Sequence, residues 1–220
     1  MNGNLVEVRR NIMKVLLVNG SCHKNGCTNR ALEECAAQLR EEGVKADIFW
    51  IGNKPIGGCL GCGACSKLGK CVQNDTVNSF MEIAPSYDGF IFGAAVHYAS
   101  ANGAMSCFMD RVFYSCPDSS IFYLKPAAAV TSARRAGTTA TLDQLHKHFF
   151  LASMPIITAS YWNEVHGSCA ADVEQDKEGL QTMRNLARNM AWFLKIKEAG
   201  AGAGIPMPEK ERGNRTDFIR

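Results

Sequence analysis

The chain is expected to fold as an α/β protein with a five-stranded parallel sheet in the order 2-1-3-4-5, covered by helices on both faces. Three observations lead there. Short runs that are apolar on both faces recur along the sequence. A stretch of helical periodicity follows each of them, and polar loops stand where three of the runs end. Buried parallel strands read this way because neither face meets water.

Taken in order, Lys14 to Asn19 (KVLLVN) is the first strand, too short for a core helix, and it stops at Gly20-Ser21. A helix follows from about Asn29 to Glu42 with Leu32, Cys35, Ala36 and Leu39 on one face, and Gly43 marks its stop. Lys45 to Ile51 is the second strand. Residues 52 to 74 are rich in Gly and Cys and form no regular element. Asp75 caps a helix to about Ala84. Asp88 to Gly93 is the third strand, and Ala101 to Tyr114 a helix. Pro126 to Thr131 is the fourth strand, Leu142 to Leu151 a helix, Met154 to Ser160 the fifth strand, and Asp172 to Lys197 a long final helix. Residues 1–13 read as an N-terminal extension and 14–198 as one domain with a cysteine-rich insert at 56–74. Residues 199–220, rich in Gly, Pro and charge, read as a C-terminal tail.

Composition excludes several classes of function. With 24 Lys+Arg against 21 Asp+Glu, the formal charge is +3, and the basic residues are scattered. No nucleic-acid partner is expected from such a distribution. No window approaches ~18 consecutive apolar residues, so no membrane helix is expected. Residues 1–13 have no apolar core of a signal peptide, which with the thiols below gives a cytoplasmic expectation.

Ligands of open α/β sheets sit outside the carboxyl ends of the strands, where three polar loops should converge. The first offers Ser21, His23, Lys24, Asn25, Thr28 and Asn29 ahead of a helix N-terminus, a cradle for phosphate. Neither a triphosphatase nor a dinucleotide glycine pattern is present, so a phosphomonoester such as FMN suits it better. The second loop, with Ala95, Val96, His97 and Tyr98, offers a wall for a flat ring. The third, with Ser132, Ala133, Arg134, Gly137 and Thr138, offers backbone and hydroxyl donors. Taken singly, each also fits an ordinary packed or solvated loop. Trp162, Asn163 and His166 follow the fifth strand toward the same edge. No protein acid or base is assigned.

Ten cysteines are unusual in a chain without export features. Cys59, Cys62, Cys65 and Cys71 bring four thiols into thirteen residues, on backbone loosened by Gly57, Gly58, Gly61 and Gly63. Three thiols at x2 spacing favour an iron–sulfur cluster over zinc, which more often takes two separated knuckles. Zinc, or a loop of reduced thiols, remains open.

With these residues in hand, the segments GSCHKNGCTN (20–29), GGCLGCGACSKLGKC (57–71), GAAVHYASANGAMSCFMDR (93–111) and KPAAAVTSARRAGTTAT (125–141) resemble the NADPH-dependent FMN reductase family. The cysteine motif and Asp110-Arg111 are most similar to its iron-sulfur flavoproteins. The resemblance covers about residues 14 to 196. It implies a flavodoxin-like three-layer sandwich, non-covalent FMN, a 4Fe-4S cluster held by the four cysteines near a neighbouring subunit's flavin, and a homodimer or homotetramer. It also implies that Ser21, His23, Asn25 and Thr28 hold the FMN phosphate. Residues 95–98 and 132–138 would then hold the ribityl chain and ring. The chain departs from the family where His23 replaces an Arg, Cys27 an Asn, and Ala94-Ala95 a Ser-Pro.

The function expected is FMN-dependent transfer of electrons from NAD(P)H, or through the cluster, to a quinone, flavin or other small-molecule electron acceptor. Two alternatives stand beside it. One is a ferredoxin-fed electron carrier without nicotinamide activity; the other is a zinc-stabilised binding module.

Overall fold

The computed structural model describes residues 12–116, 121–211, 213, 214, 216 and 218. Most of the expected N-terminal extension lies outside them.

Alternate residues of the first strand serve opposite faces of the sheet. β1 (Lys14–Asn19) sends Val15 and Leu17 to one core and Leu16 and Val18 to the other. β2 (Lys45–Trp50), β3 (Gly89–His97), β5 (Ala127–Ala133) and β6 (Glu164–His166) complete a parallel sheet, and the two-residue β4 (Ser100–Ala101) folds back antiparallel on β3. The order is β2-β1-β3-β5-β6. With β4 set aside this is the expected 2-1-3-4-5.

On one face lie α1 (Cys27–Glu41) and α7 (Lys177–Gly202), with the short α6 (Ala170–Val173) between β6 and α7. Their apolar sides meet over Leu32, Leu39, Met183 and Leu186. The other face carries α3 (Thr76–Ile83), α4 (Gly103–Tyr114) and α5 (Thr138–Leu151). There Phe80 packs against Phe49, Phe90, Phe92 and Phe108 at centroid distances of 5.3–6.2 Å, in the edge-on and tilted arrangements that aromatic rings prefer. The insert after β2, expected to hold no regular element, contains one short helix, α2 (Cys65–Leu68). Asp75 caps α3 as expected, accepting from Val77 N at 3.1 Å.

Two expectations need correction. Met154 to Ser160 is not the fifth strand. It touches the sheet at a single bridge, Ile156 to Ala127, and pairing resumes only at β6. Between them the Asn163 side chain occupies the ladder, donating to Ala129 O at 3.0 Å, while Thr131 N donates to Asn163 O at 2.9 Å. A side-chain amide thus does the work of a strand backbone. The final helix is also broken: α6 ends at Val173, and Asp176 caps α7 by accepting from Gly179 N at 2.9 Å. Helix α7 then runs on to Gly202, and the chain beyond crosses Tyr123, whose hydroxyl donates to Pro208 O at 3.2 Å.

Candidate functional site

The carboxyl ends of β1, β3 and β5 bring the three polar loops to one edge. The first is shaped from beneath by Asn19, fully buried at the end of β1. Its side chain donates to Lys24 O (3.1 Å) and Asn29 Oδ1 (3.2 Å) and accepts from Ser21 N (3.0 Å). Trp50 holds the outer side, its indole N–H donating to Ser21 O at 2.8 Å. Gly20 is demanded by close approach, since a Cβ there would stand 2.3 Å from Met105 Sδ and 2.7 Å from Gly93 O. Helix α1 then begins on Gly26, which has no side chain to cap it. Its first-turn amides are therefore open donors beside the positive end of the helix dipole.

The second loop is a hairpin. Val96 pairs with Ala101 and His97 with Ser100, leaving Tyr98 and Ala99 as the turn, both left-handed with φ of 51° and 57°. Such a turn suits the twist of the strands but strains residues other than glycine. Gln144 of α5 secures it, accepting from Ser100 Oγ (2.7 Å) and Ala101 N (2.9 Å). Asn102 ties it to the first loop by donating to Gly20 O at 2.9 Å, and its buried Oδ1 has no partner. The third loop ends at Gly137, with φ +94°, where α5 starts without a side-chain cap. A Cβ on Gly137 would lie 2.6 Å from Ala99 Cα, so the third loop presses directly on the hairpin tip. Thr28 Oγ1 and Ser132 Oγ share a 2.7 Å hydrogen bond that joins the first loop to the third.

The second feature lies in the insert. Cys59, Cys62, Cys65 and Cys71 carry free thiols and line one hollow together with Arg111 and Tyr114. Gly61, Gly63 and Gly69 are all at positive φ, so the loop turns between its cysteines in ways few other residues allow. Asn78, buried, pins Cys71 by accepting from its N–H (3.1 Å) and donating to its carbonyl (3.0 Å). Arg111, with its side chain wholly buried, directs Nε and Nη2 at Cys71 Sγ (3.4 and 3.3 Å). Among the described residues no group of three or more His, Cys, Asp or Glu is gathered closely enough to hold a metal ion. The donor set nevertheless fits a thiolate-bound centre in its chemistry: four soft ligands around one hollow, with a cation at one sulfur.

Residues 13–168 match the family described as NADPH-dependent FMN reductase. The chain belongs to that family. It falls in the iron-sulfur flavoprotein branch: it is 30% identical over 193 residues to an iron-sulfur flavoprotein of Methanocaldococcus jannaschii, covering 84% of this chain and 98% of the relative. An iron-sulfur flavoprotein of Clostridioides difficile is 30% identical over 152 residues, 68% of this chain and 64% of the relative. In fold, a flavodoxin from the domain Archaea superposes with a TM-score of 0.56 at 15% identity, over 83% of this chain and 99% of that one. The flavodoxin-like architecture expected from the sequence is therefore the one present, and the family places the chain among flavin-dependent oxidoreductases.

The site residues expected from the sequence separate into three groups. Ser21, Thr28, Ser132, Ala133 and Thr138 are buried where the loops meet. Asn29 is buried too, but its amide is taken by Asn19 and by Glu33 Oε1 (2.7 Å), which makes it a fixture of the loop. Ala95, Val96 and Gly137 are half-buried on the inner wall, while His23, Asn25, His97, Tyr98 and Arg134 stand exposed at the rim. Trp162, just ahead of β6, lies exposed against Tyr161 at 4.7 Å, and His166, the last residue of β6, is fixed through its backbone N–H to Asp176 Oδ2 (2.7 Å). Sequence reasoning missed Asn19, Trp50, Asn102 and Gln144. Only Asn19 had left a signal, a polar residue closing an otherwise apolar run. Cys27, the second thiol of the first loop, donates to Gly167 O at 3.4 Å, and burial raises its pKa, so it is no ready nucleophile.

Proposed function

We propose that the chain is an NAD(P)H-dependent FMN oxidoreductase that also carries a 4Fe-4S cluster on its insert. The observation that carries the flavin reading is the joined pair of loops at the sheet edge. Uncapped α1 and α5 open there, and the Thr28–Ser132 bond locks the two loops together. A phosphomonoester dianion suits the amides of α1, with Ser21, His23, Asn25 and Thr28 around it. Residues 95–98 and 132–138 would flank the ribityl chain and ring, and the unpartnered Oδ1 of Asn102 supports a polar ligand in this crevice. FMN supplies the electron-transfer chemistry when bound; the chain's residues bind it, set its orientation and limit water.

The cysteines at 59, 62, 65 and 71 are the residues that would hold the cluster. The acceptor we propose is a small molecule such as a quinone or free flavin, with the protein acting in the cytoplasm as a homodimer or homotetramer. No helix among the described residues is long and apolar enough to cross a membrane.

Steady-state oxidation of NADPH and NADH by FMN-loaded protein, with a quinone or ferric acceptor, tests the reading. Turnover well above that of free FMN supports it. Tight FMN binding without turnover, with the cluster reduced by ferredoxin, would replace it with a ferredoxin-fed carrier.

A further inference from the structure

Arg111 makes an unusual set of bonds for a residue on the inner side of a helix. Its guanidinium has no exposed surface, yet each of its nitrogens has a partner in the cysteine insert or at its close. Nη1 donates to Gly57 O (3.2 Å) and Asp75 Oδ2 (2.6 Å), and Nη2 to Gln73 O (2.9 Å) and Asp75 Oδ1 (2.9 Å). The Nε–H points at Cys71 Sγ, and Nη2, whose two hydrogens face three acceptors, shares its donation between Cys71 Sγ and its oxygen partners. Gly57 precedes the first cysteine of the motif and Gln73 follows the last, so a single side chain clamps both ends of the loop. Among the described residues, Cys71 is the one motif sulfur with a cationic side chain at hydrogen-bond distance.

We propose that Arg111 is a positioning residue that sets the reduction potential of the cluster through Cys71, with Asp75 as its counterweight. The inference rests on the cysteine insert holding an iron–sulfur cluster. Reduction adds negative charge to the centre and its sulfurs, and N–H donors at a ligand sulfur stabilise the more negative state. Because Arg111 is removed from water, its field at Cys71 is poorly screened. The bidentate carboxylate of Asp75 subtracts from that field while holding the guanidinium in plane with both targets. Removing the two charges should therefore move the potential in opposite directions, an outcome that simple loosening of the loop would not produce.

The experiment is anaerobic iron–sulfide reconstitution of the full chain and of Arg111→Met, Arg111→Lys and Asp75→Asn, followed by iron analysis and a spectroscopic redox titration of the cluster. Bound FMN serves as the measure of intact fold. Asparagine at position 75 is a good N-cap, so α3 keeps its start. The expected result is a shift to lower potential in Arg111→Met, a smaller downward shift in Arg111→Lys, and an upward shift in Asp75→Asn. If Arg111→Met does not fold, the Lys and Asn variants decide. Iron-loaded variants that all titrate with the wild-type potential, or all shift the same way, would overturn the role of Arg111 alone. A wild-type chain that takes up no iron would overturn the cluster reading and this inference together.

Discussion

Replacing Gly137 by alanine tests whether the hairpin and the third loop form one rigid wall. Two costs are readable at this position. Its φ of +94° is unfavourable for any residue with a Cβ, about 1–2 kcal/mol. The new methyl would also stand 2.6 Å from Ala99 Cα and 2.9 Å from Val96 Cγ1, and forcing such contacts apart costs about 1–3 kcal/mol. Gly43 provides the control. Its φ is +81°, and nothing lies within 4 Å of its ideal Cβ, so alanine there meets only the first cost. Urea denaturation of FMN-free protein should place Gly137→Ala below Gly43→Ala by about 1–3 kcal/mol. Titration of each variant with FMN, followed by quenching of flavin fluorescence, should show weakened binding only for Gly137→Ala. A loss of about tenfold corresponds to about 1.4 kcal/mol of the contact strain falling on the site. Equal stability and equal FMN affinity for the two variants would refute the packed-wall reasoning.

Three further outcomes follow from the same structure. Ser132→Ala strands the buried hydroxyl of Thr28 and should cost about 1–3 kcal/mol in urea melts, with FMN affinity reduced. Glu34 is partly buried, which raises its pKa, but hydrogen bonds from Arg30 and Arg184 outweigh burial and hold it below the usual range. A lowered folded pKa means that its contribution is full at neutral pH and fades as the pH falls below the ordinary glutamate range, near about 4.3. The stability gap between wild type and Glu34→Gln should therefore be widest at pH 7 and narrow in acid; a gap that stays constant down to pH ~3 would contradict the ion-pair assignment. Cys62→Ser should lose iron on anaerobic reconstitution while retaining FMN, and full iron retention would remove Cys62 from the ligand set.

The parts of the fold that were legible in the sequence are those written in local pattern. KVLLVN reads as a two-faced strand because both neighbouring layers need apolar partners, and it buries Val15 and Leu16 on opposite sides as that pattern requires. That the four motif cysteines line one hollow was equally legible, since their spacing and the glycines between them are local. Long-range substitutions were not legible. Nothing in Met154 to Ser160 shows that the Asn163 amide will take its place on the ladder of β5. The hairpin was hidden because Tyr98-Ala99 adopts left-handed geometry without the Asn or Gly that usually announces such a turn. Arg111 reads locally as the end of an amphipathic helix. Its partners at 57, 71, 73 and 75 become neighbours only when the insert folds over α4.

The most direct test of the two-centre account is the visible spectrum, with flavin and iron content, of anaerobically purified protein. Flavin bands together with a broad shoulder near ~400 nm, about one FMN and about four irons per chain are the expected result. Flavin without iron would contradict the cluster and leave a simple FMN reductase. Zinc near one per chain with no bound flavin would contradict the account as a whole.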